Sequence, residues 1–556
     1  MKKYLLALSL ITAFSNLVFA QDKYVVKLTD KNGTPFTIGN PSAYLSPRAI
    51  QRRTHQNIAI TTTDLPVNPN YVSQISGAGA TILGHSKWLN TVTIQTSNPT
   101  VLSTIQGFSF VQSVSNVART TGGGSVNDKF ELEKNFAERK PNQLVQQRTS
   151  SFNYADALNQ IQMVNGVLLH DAGSTGNGMV IAVIDAGFFN ADNMNVFDSL
   201  RASNKIIATW DFVSDNANVY DDNTHGSHCF SIMGANLPGV MVGTAPHASY
   251  YLLRSEDAPT ENIIEEYNWA EAAEYADSVG ADVISSSLGY SEFDDPAMNH
   301  TYADMDGNTA PSSIAADIAA STGMVVVNAA GNQGGGSWQY ITAPSDADSI
   351  ICVGAVDDAG NYAGFSSTGP SSDGQVKPTV AAQGAGCYVA DIGNGGTFPG
   401  NGTSFACPVI AGMVACLWQC NPQATNMQII NAIKQSASQF SSPDSLKGYG
   451  IPDFLNACSI LLNVNAGFIG KGDRVDVFPN PVYSNEINFN YYADVTGKEI
   501  NISLFDVSGK IIFKDDKFVA PRRNNVVTIN KSLAKGIYFL QVNTPDDVFT
   551  EKIIRQ

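Results

Sequence analysis

Met179-Val180-Ile181-Ala182-Val183-Ile184-Asp185-Ala186-Gly187 is an apolar run closed by an acid and a glycine. A short apolar run with this ending reads as a strand buried in a sheet. Working outward, similar runs recur at Ile206–Phe212, Tyr250–Arg254, Asp282–Leu288, Met324–Ala330 and Ile350–Val356, while Glu261–Val279 and Ser313–Ser321 have helical spacing. This alternation predicts an α/β domain over residues 152–462, with a mostly parallel sheet covered by helices on both faces. Ligands of such sheets bind beyond the carboxyl ends of strands, and Asp185 stands at one such end.

Two further segments add complementary chemistry. Thr224-His225-Gly226-Ser227-His228 supplies a base, and Gly402-Thr403-Ser404-Phe405-Ala406-Cys407-Pro408 supplies a hydroxyl. A serine hydroxyl is a weak nucleophile at neutral pH and needs a neighbouring base. The chain order acid, base, hydroxyl differs from the chymotrypsin order and from the nucleophile-elbow hydrolases. No Gly-x-Ser-x-Gly occurs, which removes the lipase or esterase reading.

These motifs resemble the active-site motifs of the subtilisin-like serine proteases, the subtilases. The resemblance implies a subtilisin-like fold and an endopeptidase working through an acyl-enzyme. His225 would be the general base, Asp185 its orienting acid and Ser404 the nucleophile. His228 is the rival base, but the family motif uses the first histidine, so His228 is read as a packing residue. Ser404 precedes an apolar helical run, Phe405–Gln419, and so sits near a helix N-terminus that favours developing negative charge. Ala329-Ala330-Gly331-Asn332-Gln333-Gly334 resembles the oxyanion segment, which implies Asn332 as side-chain donor beside the Ser404 backbone N–H.

Ser286-Ser287-Leu288-Gly289 resembles the strand that pairs with substrate backbone. Ser287, Leu288, Gly289, Ala330 and Gly331 are then the expected peptide-binding residues. The first pocket would have its floor near Thr342 and glycine walls that admit a sizeable apolar side chain. Two positions depart from the common pattern. Ala186 stands where many subtilases have Ser or Thr after the acid. Cys229 follows the base motif, as in proteinase K-like enzymes, and a thiol there would sensitise the enzyme to mercurials. A second reading is a surface-displayed, non-catalytic binding protein on a subtilase scaffold, against which the intact Asp185, His225, Asn332 and Ser404 set argues.

The 556 residues are too many for one core. Lys2 and Lys3 precede an apolar run from Tyr4 to Ile11, and Val18-Phe19-Ala20 supplies cleavage positions, so residues 1–20 read as a secretory signal peptide. No later stretch is expected to cross a membrane. Residues 21–118 hold strand-like runs at Lys23–Leu28, Thr91–Gln95 and Phe108–Val114 and a helix around Pro47–Arg53, a small α+β domain. Its position and Tyr44-Leu45-Ser46-Pro47-Arg48-Ala49-Ile50 resemble the N-terminal prodomains of some bacterial subtilases, which implies that the chain carries its own inhibitor. Gly122-Gly123-Gly124-Ser125 opens a polar stretch, and residues 119–151 are expected to be an exposed linker where processing occurs.

After Leu462, short strand candidates separated by turns predict a β-sandwich over residues 473–556. Val477-Phe478-Pro479-Asn480-Pro481, Leu504-Phe505-Asp506-Val507-Ser508-Gly509-Lys510, Gly536-Ile537-Tyr538-Phe539-Leu540 and Lys552-Ile553-Ile554 resemble the C-terminal sorting domain of the type IX secretion pathway of Bacteroidetes. That implies export through the periplasm to the medium or cell surface, with the secretion machinery as a partner.

The net charge of −17 is unevenly spread. Residues 21–164 carry 13 cations and 8 anions, whereas residues 165–460 carry 6 cations and 31 anions. So acidic a domain should repel nucleic acid and attract the basic N-terminal segment. All seven cysteines lie in the acidic segment, and an odd count leaves at least one thiol unpaired. Cys407, Cys416 and Cys420 sit in an apolar stretch where cysteine packs as a small hydrophobe. No cofactor is expected for catalysis. Asp221-Asp222, Asp294-Asp295, Asp304 with Asp306, and Asp357-Asp358 leave a structural calcium open, without naming ligands.

Overall fold

The computed structural model describes residues 22–118, 129–130, 150–393, 395–462, 475–477, 482, 484–491, 499–519, 525–530, 532–543 and 548–555. The expected signal peptide, most of the expected linker and Phe478–Pro481 lie outside the described residues.

The N-terminal unit contains β1 (Lys23–Leu28), α1 (Pro47–His55), α2 (Pro69–Gly77), β2 (Thr81–Ser86), β3 (Thr91–Gln95), α3 (Pro99–Gln106) and β4 (Val111–Ala118). Its four strands form one antiparallel sheet in the order β2-β3-β1-β4. Each helix begins on proline after a residue whose side chain caps it: Ser46, Asn68 and Asn98.

The central unit follows with α4 (Leu158–Gln162), α5 (Gly166–Asp171), β5 (Val180–Asp185), α6 (Asp198–Ala202), β6 (Ile206–Asp211), α7 (His225–Gly234), β7 (Asn236–Leu237), β8 (Met241–Val242) and β9 (Ser249–Arg254). It continues through α8 (Ile264–Val279), β10 (Val283–Ser286), α9 (Pro311–Ser321), β11 (Val325–Ala329), β12 (Ile351–Val356), β13 (Val380–Gln383), β14 (Ala385–Ala390) and β15 (Thr397–Asn401). It closes with α10 (Thr403–Cys420), α11 (Asn426–Ser436) and α12 (Phe454–Leu461).

Seven of these strands form a parallel sheet in the order β13-β12-β11-β10-β5-β9-β6. Strand β5 shows why its sequence is apolar throughout. Ile181 and Val183 face a core shared with α7 and α10, whereas Val180, Ala182 and Ile184 face a core shared with α8 and α9. The chain runs from β5 out to β6 and β9 on one side, then crosses to β10 on the other. The carboxyl ends of β5 and β10 therefore meet at the topological switch point.

Helix α10 has no charged residue and is buried on all sides, as a helix without a polar face must be. It is long and apolar enough to cross a membrane by length and composition, contrary to the sequence expectation, but 94% of it is buried in the core. Its last residue, Cys420, is disulfide-bonded to Cys458 in α12, while Cys407 and Cys416 are buried free thiols. The expectation of three packing cysteines thus fails at Cys420, where the end of α10 meets α12.

The C-terminal region has β16 (Val475–Val477), β17 (Glu486–Tyr491), β18 (Glu499–Asp506), β19 (Ile511–Val519), β20 (Asn525–Thr528), β21 (Gly536–Asn543) and β22 (Val548–Arg555). They form two antiparallel sheets, β16-β17-β20 and β19-β18-β21-β22, sharing one apolar core that includes Ile487, Phe489, Ile502, Leu504 and Leu540.

The charge asymmetry has a structural counterpart where the N-terminal unit meets α8. Asp277 receives Arg52 at 2.5 Å, Arg53 at 2.8 Å and Lys87 at 3.2 Å. Burial pushes the Asp277 carboxyl up, but the three cations outweigh burial and hold it well below the usual range. Glu274 accepts the backbone N–H groups of Lys87 and Trp88 at 2.8 and 2.9 Å.

Candidate active site

Asp185 ends β5 and is fully buried. Its Oδ1 lies 2.6 Å from Nδ1 of His225, the first residue of α7. The Asn223 side chain accepts the His225 backbone N–H at 2.8 Å and fixes the start of that helix. Gly226 permits the approach, because a Cβ there would collide with the Gly187 carbonyl and the Asp185 side chain. His228 packs edge-on against Phe398 at 5.2 Å.

Ser404 is the second residue of α10. Proline at position 408 has no N–H to offer the carbonyl four residues earlier, so the Ser404 carbonyl lacks its helical donor. The Ser287 hydroxyl, at 2.8 Å, and the Cys229 thiol, at 3.4 Å, donate to it instead. Cys229 also lies 3.9 Å from both ring nitrogens of His225, so one sulfur touches the imidazole and the Ser404 backbone. Burial, only partly opposed by His225, pushes this thiol up to about 12 and keeps it neutral.

Asn332 follows β11. Its Oδ1 accepts both the backbone N–H and the hydroxyl of Thr403, at 2.9 and 3.0 Å, and the Gly331 N–H donates to that hydroxyl at 3.1 Å. These bonds leave the amide NH2 as the end directed away from Thr403. Sequence reasoning missed Thr403 as a positioning residue, although it stands between Gly402 and Ser404.

Asp185 Oδ1 also accepts the Ala186 N–H at 2.8 Å, while Asp185 Oδ2 is buried with no hydrogen-bond partner among the described residues. Ala186, beside it in the chain, has no side-chain hydroxyl to offer.

A pocket beside Ser404 is lined by Ser287, Leu288, Gly289, Ala329, Gly331, Asn332, Gln333 and Thr342. The expected residues are therefore assembled, with one correction. Ala330 packs inward with Ile341 and Cys352, and Ala329 lines the pocket in its place. Gly289 is required here because a Cβ would strike the Thr342 hydroxyl, which itself has no partner among the described residues. Thr342, expected at the floor, lines this pocket and leaves its hydroxyl as a polar atom there.

Lys129 and Phe130 enter the same cleft. The Phe130 ring stacks on His225 at 4.1 Å. Lys129 Nζ lies 2.6, 2.9 and 3.1 Å from carboxylates of Glu256, Glu261 and Glu265. Burial raises Glu261 to about 7 and Glu265 well above the carboxylate range against the pull of Lys129; the three acids outweigh burial at Lys129 and raise it in turn.

The four acidic pairs considered for calcium do not converge into a group of three carboxylates among the described residues. Glu256, Glu261 and Glu265 do converge, around an ammonium.

Comparison with known proteins agrees with this arrangement. Residues 176–450 match the subtilase family, residues 23–133 the peptidase S8 propeptide domain of Bacteroidota, and residues 476–556 the secretion system C-terminal sorting domain. Subtilisin from Bacillus pumilus is 32% identical over 288 residues, covering 51% of this chain and 92% of that protein. Subtilisin Savinase from Lederbergia lenta is 31% identical over 299 residues, covering 52% and 94%. Subtilisin E from Bacillus subtilis is 33% identical over 284 residues, covering 50% and 65%. The sorting domain marks the product for secretion or surface display. This chain belongs to the subtilase family and is a subtilisin-like serine endopeptidase with a propeptide domain before its catalytic domain and a sorting domain after it.

Proposed function

We propose that Ser404 attacks the scissile carbonyl while His225 takes the hydroxyl proton, and that Asp185 holds the imidazole tautomer and stabilises the imidazolium without taking the proton itself. The observation that carries this reading is the buried 2.6 Å bond between Asp185 and His225 at the switch point of the sheet. His225 then donates its proton to the leaving amine, and water hydrolyses the Ser404 ester by the reverse use of the same base. The Asn332 amide, oriented by Thr403, and the Ser404 backbone N–H receive the oxyanion at the N-terminus of α10. Ser287, Leu288, Gly289 and Gly331 hold the peptide alongside. All of these steps run on protein groups, and a structural calcium would act on stability alone.

The chain divides in this reading into a signal at 1–20, an inhibitory prodomain at 21–118, a processing region at 119–151, the catalytic domain at 152–462 and the sorting domain at 473–556. Export would pass through the periplasm. Phe130 on the catalytic imidazole supports an inactive precursor, because a ring stacked there excludes substrate. Casein digestion by wild type and Ser404→Ala, with mass spectrometry of the mature ends, tests both points. Casein loss and a new N-terminus within 119–151 are expected for wild type only. Equal digestion by Ser404→Ala, or full activity of uncleaved chain, would overturn the reading.

A further inference from the structure

The carboxylates of Glu256, Glu261 and Glu265 meet with their oxygens within 4.8 Å of one another, and Glu256 and Glu261 line the cleft that also holds Ser404. The Glu256 and Glu265 side chains are each only 1% exposed. Three carboxylates in so dry a volume repel one another and favour entry of a cation. Their framework is fixed. Glu265 accepts the backbone N–H groups of Asp257 and Asn262 at 2.8 and 3.0 Å, and Glu256 accepts the buried Tyr290 hydroxyl.

The cluster has an occupant. Lys129 Nζ contacts all three acids and also donates to the Thr260 carbonyl at 3.3 Å. Lys129 lies within the stretch that matches the propeptide domain, and its neighbour Phe130 stacks on His225. The pair therefore enters the cleft as consecutive residues of a peptide would, with a basic side chain among the acids and an aromatic ring on the imidazole. Once the propeptide leaves, the three acids lose their only described cation.

We propose, on the proteolytic reading above, that Glu256, Glu261 and Glu265 form a substrate subsite for a lysine or arginine side chain, one residue before a residue lying against His225. Lys129 is its first occupant, in the precursor. A basic substrate restores the counter-charge, a neutral one leaves buried carboxylates uncompensated, and an acidic one adds a fourth negative charge. Charged hydrogen bonds of this kind correspond to a preference of about tenfold or more.

The test uses enzyme matured from the full chain, wild type, Glu261→Gln and Glu261→Lys. Glu261 is chosen because its carboxylate bonds only Lys129 among the described residues. Each protein is first labelled with a fluorophosphonate, which reports a folded site, and then digests a peptide library with internal lysines and arginines. The wild type should enrich Lys and Arg about tenfold at a single position on the amino side of the cleaved bond, with most of that enrichment lost in Glu261→Gln and in Glu261→Lys, whose own ammonium supplies the counter-charge. In the precursor, Lys129→Gln should slow self-processing while Lys129→Arg retains it. A wild type that labels and cleaves without basic enrichment, or enrichment unchanged in both Glu261 variants, overturns the subsite. Failure of the wild type to take the label instead overturns the proteolytic reading, and the subsite with it.

Discussion

Ser287 and Ser404 bond each other in both directions. The Ser287 hydroxyl donates to the Ser404 carbonyl at 2.8 Å, and the Ser404 hydroxyl donates to the Ser287 carbonyl at 3.3 Å. The first bond exists because Pro408 leaves that carbonyl without a helical partner. The second shows the hydroxyl beside the strand edge expected to hold the peptide. The end of β10 and the start of α10 are thus locked together at the site.

Ser287→Ala removes the stronger donor to the Ser404 carbonyl and leaves only the Cys229 thiol. Stability should fall by about 1 kcal/mol and kcat by about tenfold, because the nucleophile loses its anchor. Urea denaturation and peptide kinetics check this; unchanged kcat would show that Pro408 and the thiol suffice to hold Ser404.

Thr403→Val keeps the side-chain shape but removes the hydroxyl that helps fix the Asn332 amide. A loss of about tenfold in kcat with KM little changed is expected, against about 10²–10³ for Asn332→Leu, a magnitude taken from subtilisin itself. If Thr403 acts through Asn332, adding Thr403→Val to Asn332→Leu should cost little more. Additive losses would place Thr403 in another role.

Ala186→Ser offers a donor to Asp185 Oδ2, which has none among the described residues. A cavity lined by Ala186, Asp222, Asn223 and Arg254 gives room for the added hydroxyl. Satisfying a buried carboxylate oxygen should stabilise the protein by about 1 kcal/mol and raise kcat/KM a few-fold. A lower Tm in thermal unfolding would contradict this.

Propeptide release should depend on pH through Glu271, whose carboxyl faces Gly84 of β2. Burial, reinforced by Glu274, raises it from 4.5 to about 8 in the docked state. The docked form therefore holds a proton that the separated form gives up above its ordinary value. Docking is unpenalised below pH 4.5, weakens by at most about tenfold per pH unit between there and 8, and levels off above. After processing, the propeptide should co-elute with the catalytic domain at pH 5.5 and separate more readily at pH 8.5. Tighter association at the higher pH would contradict the assignment.

The six apolar runs each became a strand of the parallel sheet; the interior strands are buried on both faces and leave a continuous local signal, whereas the edge strand β6 leaves Ile207 exposed. Strand β13, Val380-Ala381-Ala382-Gln383, was missed because small residues leave little contrast. Helices α2 and α3 were also missed, although Asn68-Pro69 and Asn98-Pro99 carry the start signal of a capping side chain followed by proline. Asp185, His225, Asn332 and Ser404 were legible because each lies in a short motif. Lys129 and the three glutamates were not, since ion pairs spanning 127 and 136 residues leave no local pattern. Ala329 replaced Ala330 in the pocket wall because a one-residue shift at a strand end reverses the side-chain direction.

The central claim is that Asp185, His225 and Ser404 act as one unit. Its most direct test is stoichiometric labelling of matured enzyme by a fluorophosphonate, with the adduct located by mass spectrometry. The account predicts one adduct, on Ser404, formed at least about 10³ times more slowly in His225→Ala and absent in Ser404→Ala. Labelling at another residue, or at an undiminished rate without His225, would contradict it.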